Sequence, residues 1–124
     1  ERCYGLLSFS FPALTKIGGA VAMFKSCTSL TSGTFPALNN IESPSACNNM
    51  FYGCTSLTSL SFPALTSTSF GSYPNQFSSM LQGATGCTVH FPSNLQAVIG
   101  SWSDVTNGFG GTNTTVLFDL PATT

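Results

Sequence analysis

The phrase Cys-Thr-Ser-Leu-Thr-Ser-x-x-Phe-Pro-Ala-Leu occurs twice almost letter for letter, at Cys27–Leu38 and Cys54–Leu65, and a divergent copy precedes them at Cys3–Leu14. Cys3, Leu6, Phe11, Pro12 and Leu14 recur 24 residues later at Cys27, Leu30, Phe35, Pro36 and Leu38. They recur again, 27 residues further on, at Cys54, Leu57, Phe62, Pro63 and Leu65. A second landmark falls at Met23-Phe24 and Met50-Phe51, with Met80-Leu81 as a weaker third. A unit this short cannot bury its own apolar face, so successive copies must stack and share one core.

Alternation gives the local structure of each unit. Leu57, Leu60 and Phe62 fall inward and Thr58, Ser59 and Ser61 outward, which predicts a short strand. Pro63 has no N–H to give a ladder, so the strand is expected to stop there, with Leu65 turning back into the core. Met50-Phe51-Tyr52-Gly53 predicts a short helical or 3₁₀ turn on the opposite side, reversed at Gly53 before Cys54 opens the next coil. Stacked strands should form one parallel sheet, with neighbours about 4.8 Å apart. The wider step from Met50 to Met80 predicts a bulged surface loop containing Gly71, Tyr73 and Pro74.

The unit Met-Phe-x-Gly-Cys-Thr-Ser-Leu-Thr-Ser-x-x-Phe-Pro-x-Leu resembles the BspA-type leucine-rich repeat of bacterial surface and secreted proteins, over roughly residues 3–91. The resemblance implies a right-handed leucine-rich-repeat solenoid, with a short parallel sheet on one face and irregular or 3₁₀ turns on the other. It also implies a role in adhesion or host-surface recognition, and so an extracellular or cell-surface location. This chain departs from the pattern at Gly33, where a core Leu is expected, and at Met-Phe in place of Ala-Phe. Repeats are placed at about 3–26, 27–53 and 54–83, with a C-terminal cap over about 84–124, all within one domain of a longer protein.

Val89 in Cys87-Thr88-Val89-His90-Phe91-Pro92 keeps the inward slot, and Phe-Pro again marks a strand end. After Phe91 no further repeat is expected. Ser93-Asn94-Leu95-Gln96 matches a capping box and, with Ala97, Val98, Ile99 and Trp102, predicts a helix over Ser93–Trp102. A final strand is predicted over Thr114–Leu120, ended by Pro121. Helix and strand together would cover the last coil. The N-terminal side shows no comparable polar cap, so end-to-end packing or a homo-oligomer through the first repeat is a second expectation.

Only 6% of the 124 residues are charged and the net charge is −1, so solubility rests on hydroxyl and amide groups. Arg2, Lys16 and Lys25 are the whole basic complement, too few to neutralise a phosphate backbone, which argues against a nucleic-acid partner. The apolar runs are far short of a membrane span. Cys3, Cys27 and Cys54 share one slot and are expected as a row of buried reduced thiols, while Cys47 and Cys87 lie outside it. Without a Cys-x-x-Cys spacing, and with His90 as the only histidine, no zinc site is expected, nor any other cofactor.

His90 falls in the outward row with no carboxylate in predictable reach, so no catalytic residue is assigned. The candidate binding surface is that row itself: Ser8 and Ser10; Thr31, Ser32 and Thr34; Thr58, Ser59 and Ser61; Thr88 and His90; and Tyr73 on its loop. Two function classes follow. The chain is either a non-enzymatic module recognising a protein or glycan on a host or neighbouring cell, or an assembly domain of a fibre, surface appendage or phage tail tip.

Overall fold

A computed structural model describes residues 5–16, 24–41, 49–67, 69–70, 77 and 79–123, with Asp104 described by its backbone alone. Cys3, Cys47, Met23 and the Gly71–Tyr73–Pro74 loop lie outside the described residues. Five strands form one sheet in the order of the chain: β1 (Ser8–Ser10), β2 (Ser32–Thr34), β3 (Ser59–Ser61), β4 (Thr88–Pro92) and β5 (Thr115–Leu120). Every neighbouring pair is parallel. Parallel neighbours need a crossover, and here each crossover takes one coil of the chain.

The coils are laddered on the turn side as well. The Phe24 N–H donates to the Met50 carbonyl at 2.8 Å, Phe51 to Met80 at 3.0 Å, and Leu81 to Phe109 at 2.9 Å. Between these rungs each turn closes on itself by i→i+3 bonds, with Cys27 donating to Phe24, Cys54 to Phe51 and Ala84 to Leu81. The reversal is left-handed at one equivalent place in each coil: Ser26 (φ 63°), Gly53 (φ 76°) and Gly83 (φ 96°). A side chain at Gly83 would also bring its Cβ within 3.1 Å of the Gly53 backbone, so stacking and conformation both select glycine there.

After β1, β2 and β3, Phe-Pro-Ala-Leu folds as a turn. The Phe11 and Phe35 carbonyls accept from Leu14 and Leu38 at 3.2 and 3.3 Å, with Pro at the position where its fixed φ fits. β3 accordingly ends at Ser61. β4 ends at Pro92, as the Phe-Pro pair predicts, with Pro92 itself the last residue of the strand and lying opposite Leu120 across a register shift between His90 and Pro92.

The chain beyond Phe91 follows the predicted order of helix then strand, and its strand joins the sheet in the hydrogen-bond register of the preceding coils. Thr85 bridges Thr112, Thr115 donates to the Cys87 carbonyl at 2.9 Å, and Val89 pairs with Val116. The predicted helix begins as a 3₁₀ turn at Ser93–Leu95 and becomes α1 (Gln96–Ile99). The capping box is not made: Pro92 holds the cap position and no side chain bonds the free N–H groups. A further short helix, α2 (Ser103–Thr106), and a 3₁₀ turn at Gly108–Gly110 carry the chain back to the turn ladder.

The core is a set of columns that run from coil to coil. Phe11, Phe35, Phe62, Phe91 and Phe118 stack in sequence, with centroid separations of 5.9, 5.3, 5.5 and 5.7 Å. A second column pairs Phe24 with Phe51 at 5.3 Å and an interplanar angle of 1°. Phe9 stacks on this column at 4.5 Å from Phe24 and fills the place that Gly33 leaves empty. A Cβ at Gly33 would stand 2.0 Å from the Phe9 ring. Cys27, Cys54 and Cys87 are thiols outside any disulfide, and all three are fully buried. Ala84 takes the cysteine slot in the fourth coil, closing its turn as Cys27 and Cys54 do in theirs.

Candidate recognition face

Side chains alternate across a strand, so one face of the sheet carries every second residue. Strand register aligns these into two rows. Ser8, Ser32, Ser59, Thr88 and Thr115 form one; Ser10, Thr34, Ser61, His90 and Leu117 form the other. The predicted outward residues on the strands therefore come together as one surface. Thr31 and Thr58 flank it at the strand entrances, and Tyr73 lies outside the described residues.

Much of the hydroxyl capacity is used internally. The Thr31 Oγ1–H donates to the Leu7 carbonyl at 3.1 Å, and the Thr58 Oγ1–H to the Thr31 carbonyl at 3.0 Å. Ser61 Oγ donates to Thr34 Oγ1 at 2.9 Å. Cross-strand hydroxyl pairs of this kind each add a few tenths of a kcal/mol, roughly 0.2–1 kcal/mol, to sheet stability. These residues hold neighbouring coils together, which lowers their worth as ligand contacts.

The face differs at its C-terminal side. His90 Nδ1 lies 2.9 Å from Asp119 Oδ1 and 3.1 Å from Oδ2, so the expectation that no carboxylate reaches His90 is overturned. Asp119 stands two residues beyond Leu117, the register partner of His90, so the contact is a diagonal one between β4 and β5. The bulge at this point adds a residue to β5 relative to β4. With the Asp119 side chain 48% exposed and His90 27% exposed, the pair orients the imidazole more than it stabilises the fold. Leu117, 37% exposed, lies beside His90 and gives the patch an apolar member.

Leu117 and Asp119 are the functional candidates that the repeat alignment misses. The signal was present: Thr88-Val89-His90-Phe91 and Thr115-Val116-Leu117-Phe118 share Thr-Val-x-Phe. Without Cys-Thr-Ser before it and Pro after it, the second copy does not stand out. In chemical terms the patch offers an anion, an imidazole with Nε2 left over from the Asp119 contact, and an aliphatic surface. Ser61 neighbours His90 in register, yet its hydroxyl donates to Thr34, so the nucleophile–base bond of a hydrolytic triad is not made.

Among the described residues, no group of three or more His, Cys, Asp and Glu side chains is placed to hold a metal ion. Among them also, no helix is long and apolar enough to cross a membrane. No protein-family model, curated protein or solved structure matches this chain.

Proposed function

We propose that this repeating parallel arrangement is a leucine-rich-repeat solenoid of the BspA type. It acts as a non-enzymatic module in an extracellular or cell-surface setting, mediating adhesion by recognising a protein or glycan on a host or neighbouring cell. The observation that carries this reading is the patch of His90, Leu117 and Asp119, where strand rows otherwise made of Ser and Thr gain a carboxylate, an imidazole and an exposed aliphatic side chain. The other exposed Leu, Leu7, stands alone at the far entrance of β1. Mixed apolar and polar patches of this kind suit a protein surface, whose binding energy concentrates in a few central contacts. Ser61's bond to Thr34 favours binding over acyl transfer. Low charge density favours short-range contact over electrostatic capture.

The test is adhesion of the purified chain to intact cells, before and after protease or glycosidase treatment of the cell surface. Binding is expected to fall about tenfold or more in Leu117→Ser and Asp119→Ala, a hot-spot magnitude. Equal binding by wild type and both variants would remove the patch as the site.

A further inference from the structure

The two outermost strands of the described sheet are complementary. β1 and β5 each have one partnered side, and the printed bonds show which backbone groups point the other way. Thr31 donates to the Leu7 carbonyl, so Leu7 and Phe9 face β2, and the N–H and C=O groups of Ser8 and Ser10 point off the open side of β1. Thr115 donates to the Cys87 carbonyl, so Thr115 and Leu117 face β4, and those of Val116 and Phe118 point off the open side of β5.

The side chains repeat the pattern. Phe35, Phe62 and Phe91 in the inner coils are fully buried, whereas Phe11 and Phe118, the two ends of the same column, are only partly covered. Leu6, Phe9 and Leu14 at one end and Val116 at the other are likewise partly buried members of the core. Charge is divided between the ends. Before the second repeat stand Arg2, Lys16 and Lys25 against the single carboxylate of Glu1, and after Pro92 stand Asp104 and Asp119 with no basic residue. Lys16 and Asp119 are both exposed.

We propose that β5 of one copy of this chain accepts β1 of a second copy, in the parallel register that already joins the five strands. Phe11 of the second copy then follows Phe118 in the phenylalanine column, and the basic end of one copy meets the acidic end of the next. The contact is heterologous, so every added copy presents a fresh open strand and the assembly does not close at a dimer. The recognition face stays uncovered, because the contact uses the sheet's edges. Leu117→Ser, on the face, tests adhesion, and Ser10→Pro, on the edge, tests this assembly, so the two stand or fall separately.

Sedimentation velocity of the full chain over a wide concentration range tests the assembly. The mass is expected to rise in one-chain steps past the dimer, and added salt is expected to weaken the rise. Ser10→Pro removes an N–H on the open side of an edge strand, a position where Pro is tolerated, and is expected to weaken association about tenfold. Hydrogen exchange gives a readout that needs no variant. The Val116 and Phe118 amides are expected to gain protection with concentration, while Thr115 and Leu117 stay protected throughout. A constant one-chain mass would overturn the proposal. So would association that leaves Val116 and Phe118 exchanging freely, because that contact would lie elsewhere.

Discussion

Gly33 and Phe9 form one packing unit split between two coils. By repeat alignment Gly33 is a missing core side chain, and Phe9 supplies the volume from the neighbouring strand. Gly33→Leu is expected to destabilise the fold by about 1–3 kcal/mol through overpacking. Combining it with Phe9→Leu should recover much of that loss in urea unfolding, because residues in contact couple. Additive losses would show that the two do not share a site. Cys87 gives a second check. Burial, then the neighbouring Cys54, pushes its thiol up from 9.0 to about 12. The folded protein is therefore expected to resist thiol alkylation at Cys87 at pH 8 and to react fully once unfolded. Because the folded state holds this proton more tightly, its stabilising contribution is complete below pH 9. It is lost as pH rises from 9 towards 12, at up to about 1.4 kcal/mol per pH unit. A melting temperature unchanged between pH 8 and pH 11 would contradict this.

At the scale of the element, the phenylalanine column ties the strands into one cooperative body. Phe62→Ala, in the middle of the column, is expected to cost about 3–5 kcal/mol in chemical denaturation, and Phe118→Ala clearly less, since its ring is only partly buried. Equal costs would mean that the last coil is as enclosed as the third. The column also shows what was legible in the sequence. Phe11, Phe35 and Phe62 announce themselves because Phe-Pro-Ala-Leu must fold as the same turn each time, and Phe91 keeps the Phe-Pro pair. Phe118 lacks the following Pro, since the chain there continues as strand to Leu120, so the fifth rung is hidden. The fourth coil hides a substitution of another kind, with Ala84 in the cysteine slot. The capping box at Ser93 misled because Pro92 and Ser93 are drawn into the end of β4 and a tight 3₁₀ turn, which leaves Ser93 inside the turn. The His90–Asp119 pair depends on the β5 register, which the short Thr-Val-x-Phe match carries, and on the bulge beside it, which has no local sequence signal.

At the largest scale, stacked coils set a face of aligned rows and leave an outermost strand, β1 or β5, on each side of the described sheet. Uniform Ser and Thr suit an exposed sheet and knit neighbouring coils together, so recognition falls to the place where the copies diverge. That place is the last two strands, where His90, Leu117 and Asp119 meet. Asp119→Asn is expected to change folding stability by less than about 1 kcal/mol, as for other exposed ion pairs, so a loss of binding in that variant would report on the surface and not on the fold. The most direct test is an NMR titration of the chain with solubilised surface proteins or glycans from cells it adheres to. The account predicts that shift changes centre on His90, Leu117 and Asp119 and fade towards Ser8 and Ser10 across the same face. Changes confined to the turn side, around Tyr52 and Gln82, would contradict it.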